Sequence, residues 1–409
     1  MENYFSHTLP NGLRIIHKPH AGDVSYAGFI VNTGTRDELE QEFGMAHFIE
    51  HMLFKGTHKR TPRNIINTIE SVGGELNAYT NKEETVLYSI FLEKDYKRSF
   101  DLMADMVFNS KFPQKEIEKE IEVIIDEIHS YEDSPPELIF DEFENKLFAG
   151  TPLGHNILGT ESSLVSFDTS LSKRFFEKFY IPQNAVFFFM GKTPFKQVLK
   201  TAEKLFSEIP HVSFDNERSR IIKNEKSPFH ERIFKDTSQV HVIMGAESYN
   251  YYDSKRTPLY LLNNILGGPC MNSRLNMALR EKKGYVYNVE SNMTSYSDTG
   301  LYTIYFGTDR KHLDKCLNIV YKELNQLQKS KLSTAHLHAA KKQMMGQIAL
   351  NRDNNENIAL ATGKSFLCYN HYESIDETFA KIDRIKSEDL LDVANEILDR
   401  DKISSLIFE

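Results

Sequence analysis

Gly44-Met45-Ala46-His47-Phe48-Ile49-Glu50-His51-Met52-Leu53-Phe54 reads as a helix that is apolar nearly all round, yet it carries two histidines and a glutamate. A helix with apolar residues on every side is a buried helix. Ionisable groups inside it are costly unless they serve one another or an ion. His47 and His51 stand one turn apart, about 40° around the axis, so both can face a single ion. Glu50 lies about 60° to one side of His47, beside that position. The pattern is H-x-x-E-H, the inverse of the commoner H-E-x-x-H zinc arrangement. It places Glu50 where it can handle the proton of a reacting water. The competing interpretation is two core histidines and a solvated glutamate.

A catalytic zinc held by two histidines needs a third ligand, often a carboxylate, and one open position. The helix expected over Gln114 to Tyr131 offers candidates. Its apolar stripe is Ile117, Ile121, Ile124, Ile125 and Ile128, and Lys119, Glu122 and Asp126 fall on the far side. Glu120 and Glu127 lie on the shoulder of the stripe, two turns apart on one face. They are within reach of a buried ion; from this helix alone they are equally two rim carboxylates.

Working outward, Leu13 to His17 and Ala27 to Asn32 are β-branched and apolar and read as strands. Thr61 to Val72 reads as a helix ending at Gly73-Gly74. Glu75 to Thr80 and Thr85 to Leu92 form a hairpin through Asn81-Lys82-Glu83-Glu84. A helix over Asp95 to Val107 precedes the one over Gln114 to Tyr131, which Pro135-Pro136 closes. After a polar stretch the pattern starts again. A shift of 214 residues lays Val86 to Phe91 on Gly300 to Tyr305, Asp95 on Asp309 and Met103 on Leu317. The expected fold is α+β: two homologous domains, each a mostly antiparallel sheet flanked by helices, a duplicated α/β roll. The expected boundaries are 1–210 for the domain with the metal motif, 211–230 for a linker, and 231–409 for a domain without one. Under the repeat, Tyr260, Asn263 and Asn264 stand where His47, Glu50 and His51 stand, and they cannot make a two-histidine site. His336 and His338 have no ligand spacing and read as surface residues.

Composition sets the bounds. Of 409 residues 40% are hydrophobic, enough for packed cores and against a disordered or fibrous chain. The formal charge of −9 argues against nucleic acid or an anionic membrane surface as the main partner. Cys270, Cys316 and Cys368 are odd in number and far apart, so no disulfide framework is expected. The opening residues show no basic stretch followed by an apolar run, and no run of about 18 apolar residues occurs. The expectation is a cytoplasmic protein.

The combination resembles the pitrilysin-type zinc peptidases, the family of insulin-degrading enzyme and the mitochondrial processing peptidase. The likeness runs through Leu9-Pro10-Asn11-Gly12-Leu13, Gly44-Met45-Ala46-His47, the 76 residues from His51 to Glu127, Gly73-Gly74 and Asn77-Ala78. In the second half it covers Gly267-Gly268, Ser273-Arg274-Leu275, Leu279-Arg280-Glu281-Lys282 and Gly284-Tyr285-Val286-Tyr287. The resemblance implies a zinc metalloendopeptidase with one Zn2+ per chain on His47, His51 and Glu127. It implies Glu50 as general base and Glu120 as a supporting acidic residue. It makes Glu75 to Thr80 the edge strand that pairs with an extended peptide, through Asn77 and Ala78, and it brings Arg280 and Tyr287 to the substrate from the second domain. Short members of the family form a homodimer enclosing a chamber for peptides or unfolded, presequence-like segments. Two alternatives remain at this stage: a non-catalytic, peptide-holding subunit of a hetero-oligomer, and a zinc hydrolase of a non-peptide substrate.

Overall fold

The computed structural model describes residues 4–212, 218, 227–235 and 237–409. Along the chain run β1 Phe5–Thr8, β2 Arg14–Pro19, β3 Val24–Val31, α1 Met45–Met52, α2 Pro62–Glu70, β4 Glu75–Thr80, β5 Thr85–Leu92, α3 Tyr96–Asn109, α4 Gln114–Glu132 and α5 Pro135–Leu147. Then come α6 Glu161–Leu164, α7 Thr169–Phe179, β6 Ala185–Gly191, α8 Phe195–Phe206, β7 His230–Ile233, β8 Val240–Ser248, α9 Arg256–Gly267, β9 Val286–Ser295 and β10 Gly300–Thr308. The chain closes with α10 Leu313–Lys329, α11 Thr334–Asn351, α12 Asn355–Tyr369, α13 Ile375–Arg384, α14 Ser387–Ile397 and β11 Ser404–Phe408. Among the described residues no helix is long and apolar enough to cross a membrane.

The strands form two sheets of the same design, ordered β1-β2-β6-β3-β5-β4 and β7-β11-β8-β10-β9. In the first, β2 and β6 are parallel and the other pairs antiparallel. In the second, β7 and β11 are parallel and the rest antiparallel. Hence β2, β6, β3, β5 and β4 correspond to β7, β11, β8, β10 and β9, and the 214-residue repeat is a repeat of topology. The β4–β5 hairpin closes with Thr80 opposite Thr85. The Asn81 side-chain oxygen accepts from the amides of Glu83 and Glu84 in that turn, the local bonding that makes Asn a turn former.

Two compact units contain these sheets, and they are not contiguous in sequence. The first comprises Met1–His129, His155–Ser219 and Arg352–Ser374; the second comprises Ser130–Gly154, Arg220–Asn351 and Ile375–Glu409. Boundaries at 210 and 231 are therefore amended by an exchange, and most of the expected linker lies outside the described residues. The reason is that each sheet is apolar on both faces. In the first unit, one face packs on α1, α3, α4, α7 and α8. Its other face, with Ile16, Ile30, Val86 and Phe188, is covered by Ala359 and Phe366 of α12. In the second unit, Ile243, Tyr305, Leu406 and Phe408 are covered by Leu138, Ile139 and Phe143 of α5. Strand β6, Ala-Val-Phe-Phe-Phe-Met-Gly, is buried at every position and shows the requirement in its sequence. Pro135-Pro136 do not merely end α4: they occupy the first turn of α5, where a missing N–H costs nothing.

Candidate metal centre

Helix α1 lies on the first sheet with Met45, Ala46, Phe48, Ile49 and Met52 in the core. Helix α4 packs into the same core through Ile117 and Ile124, with Ile121, Ile125 and Ile128 partly buried. Lys119, Glu122 and Asp126 face solvent. Glu127 on the shoulder of that stripe brings Oε2 to 3.8 Å from Nε2 of His47 and 3.8 Å from Nε2 of His51. The imidazole centroids are 4.5 Å apart. One donor atom from each of His47, His51 and Glu127 lies within 4.8 Å of the others. Ligand atoms at the corners of a tetrahedral zinc site stand about 3.4 Å apart, given bonds of about 2.0–2.1 Å. The donor set thus fits zinc in type, and its atoms gather on one side at a spacing somewhat wider than a bound ion would impose.

A chain of contacts holds the second histidine. Glu120, 5% exposed, puts Oε1 2.9 Å from Nδ1 of His51. Its Oε2 is 2.5 Å from Nζ of Lys55. With Nδ1 engaged, His51 has Nε2 to offer toward Glu127, the outer-sphere arrangement common at histidine metal sites. Burial raises the Glu120 carboxyl, but the hydrogen bonds and charges of His51 and Lys55 outweigh it and hold it below the usual range. Burial lowers His51, yet Glu120, Glu50 and Glu127 together carry it above its ordinary value. His47 is pushed down to about 3, first by burial and then by His51, so it is neutral with a lone pair available. Glu50, Glu120 and Glu127 converge here around His51 and Lys55, an acidic setting into which a divalent cation would fit.

Glu50 is half-buried beside His51. Burial raises its carboxyl, a hydroxyl hydrogen bond from Thr80 and the charge of His51 oppose this, and Glu127 adds to it; the net direction is up. Thr80 ends β4, which stands at the sheet edge and pairs with β5. Ala78 packs with Leu76 against the core under α1. The Asn77 side chain bonds the Tyr88 hydroxyl, and its neighbour Tyr79 packs on the α12 face. Near Asn77 and Ala78 the outer backbone edge of β4 pairs with no strand among the described residues, while the Asn77 amide is engaged by Tyr88. Lys55 and Thr80 were not singled out by sequence. Lys55 had a signal, one turn past His51 and so on the same side of the chain; Thr80 had none beyond its place at the strand end.

Arg280 and Tyr287 belong to the second unit. Arg280 lies in a π-helical turn, Asn276–Glu281, with Nε 3.7 Å from Oε1 of Glu281. Gly284, at φ +62, ends that turn, its amide bonding the Arg280 carbonyl. Tyr287, on β9, is 86% exposed, which excludes a core role for it. Tyr260, Asn263 and Asn264 lie on α9 and gather no metal-capable set among the described residues. His336 and His338 are exposed on α11.

Comparison with known proteins agrees with this architecture. Residues 14–161 match the insulinase model of peptidase family M16, and residues 170–344 match the model described as the peptidase M16 inactive domain. A protein of Bacillus subtilis named as an uncharacterized zinc protease is 31% identical over 98% of this chain and 97% of its own length. One of Rickettsia bellii is 32% identical over 99% and 98%. A probable mitochondrial-processing peptidase subunit beta of Arabidopsis thaliana is 29% identical over 98% of this chain and 77% of its own. A protease from Helicobacter pylori shares the fold at TM-score 0.92 and 21% identity, over 100% of this chain and 99% of that one. With both halves matched and relatives above 30% identity along nearly its whole length, the chain belongs to peptidase family M16, the insulinase family.

Proposed function

We propose that the protein is a zinc metalloendopeptidase that hydrolyses extended peptides or unfolded segments. The observation that carries this reading is the convergence of His47, His51 and Glu127 on one point, with Glu50 beside them and bonded to the end of β4. His47, His51 and Glu127 would hold one zinc per chain. Bound there, zinc supplies a Lewis acid that polarises a carbonyl and makes water acidic. Glu50 takes the proton of the attacking water and delivers it to the amide nitrogen as the C–N bond breaks. A carboxyl raised by burial suits both halves of that transfer. Lys55 and Glu120 keep the His51 ring in place. The open edge of β4 gives an extended peptide backbone partners, which favours unfolded segments over folded domains. Arg280 and Tyr287 are proposed as substrate contacts of the second unit, since neither side chain is spent on its own core. The working enzyme is proposed as a homodimer in the cytoplasm.

The test is hydrolysis of a mixed peptide library by the purified chain. Internal cleavage should appear with zinc, vanish on chelation and return on readdition. Glu50→Gln should keep zinc and lose turnover. Undiminished cleavage by Glu50→Gln would overturn the assignment of the base. No cleavage by the zinc-loaded chain would favour the peptide-holding alternative.

A further inference from the structure

Helix α1 has eight residues, and the residue capping its start is Gly44, which carries no side chain to do so. Gly44 cannot be exchanged for the usual Ser, Thr, Asp or Asn. Its φ is +94, and a Cβ there would meet the Leu158 carbonyl oxygen at 2.7 Å and Cα of Gly159 at 2.9 Å. The cap comes instead from outside the helix. Oε2 of Glu38 accepts from the Gly44 amide at 2.9 Å, and Oε1 accepts from the Ala46 amide at 2.7 Å. The Glu38 side chain is 0% exposed. Such burial of a carboxyl is unfavourable unless its oxygens are bonded. The third partner is His155, whose Nε2 lies 3.0 Å from Oε2. That ring stacks on Phe43 with centroids 3.9 Å apart and planes 11° from parallel. The His155 carbonyl accepts from Nζ of Lys82. His155 is therefore held by its ring, its nitrogen and its backbone, and it holds Glu38 in turn.

We propose that Glu38 and His155 are positioning residues for the metal centre, a paired external cap that sets where α1 begins and so where His47 and His51 point. The inference rests on reading His47, His51 and Glu127 as zinc ligands. The Ala46 amide is bonded to Glu38 and belongs to the residue just before His47, so a shift at the cap is passed directly to the ligand. The β4–β5 turn takes part through Lys82. Glu38 and His155 are outside the candidate ligand set; they act through backbone. Local sequence could not have shown this, because the two residues are 117 apart.

The test measures zinc affinity of the purified full chain by competition with a chromophoric chelator, alongside the thermal midpoint of the zinc-free protein. His155→Leu keeps apolar contact with Phe43 and removes the partner of Glu38. It should lose about 10- to 100-fold in zinc affinity, the scale for groups that orient ligands. His155→Gln, whose amide can bond Glu38, should recover most of that loss. Glu38→Gln should weaken zinc at least as much as His155→Leu; where it fails to fold, the His155 pair alone decides. A merely structural role would lower the zinc-free midpoint and leave the affinity of the folded chain unchanged. Wild-type affinity in His155→Leu, or an equal loss in His155→Gln, would overturn the proposal. Absence of zinc binding by the wild-type chain would sink the ligand reading itself, a separate result.

Discussion

Replacing Glu120 by Gln tests the metal centre where two effects oppose each other. Glu120 is buried between Nδ1 of His51 at 2.9 Å and Nζ of Lys55 at 2.5 Å. The amide keeps the shape, loses the charge and has one oxygen to offer two donors. Outer-sphere losses of this kind weaken metal binding about 10- to 100-fold, or roughly 1.4 to 2.7 kcal/mol. Protons work the other way. His51 is raised above its ordinary value, with Glu120 the main favourable cause, so below that pKa a proton competes with zinc for the ring. Glu120→Gln removes that cause, lowers His51 and moves the competition to more acid pH. The loss of affinity should therefore be greatest at the alkaline end and shrink as pH falls through the wild-type His51 pKa. Chelator competition from pH 8 to pH 5.5 measures it. Equal zinc affinities at pH 8, or a ratio independent of pH, would refute the assignment of Glu120 as the group that orients His51.

Tyr287→Phe should lower kcat roughly 10- to 1000-fold, the scale of losing an oxyanion donor, with the thermal midpoint and zinc content unchanged because the ring is 86% exposed; a wild-type rate would remove Tyr287 from the mechanism. His17, buried and stacked with Phe189 and Phe195, is lowered to about 4, chiefly by burial. The unfolded chain takes up a proton near pH 6.5 that the fold refuses, so stability falls as pH drops from about 6.5 toward 4, by up to about 3 kcal/mol. Urea unfolding at pH 7.5 and pH 5 should show a smaller acid loss in His17→Phe than in the wild type, and equal losses would mean His17 is not the sensor. Light scattering should give a mass near twice 47.3 kDa; full activity in a strict monomer would contradict the proposed dimer.

What was legible in the chain was local. Helical periodicity puts His47 and His51 on one side of α1 before any tertiary contact forms, because residues four apart share a face. Asn81 and its neighbours specify the β4–β5 turn within four residues, and both strands stand where their apolar patterns place them. The stripe on α4 likewise separated Glu120 and Glu127 from the solvated acids Glu122 and Asp126. Periodicity could not say which of the two shoulder carboxylates meets both Nε2 atoms. The tertiary placement of α4 beside α1 decided that, bringing Glu127 to both Nε2 atoms and Glu120 to Nδ1 of His51. Pairings across long stretches of chain were equally hidden: Glu38 with His155, and the exchange of α5 and α12 between units. A residue's own neighbours dictate which face it occupies. Which distant surface that face meets follows from closing two apolar-sided sheets against the helices available, a property of the whole chain rather than of any segment.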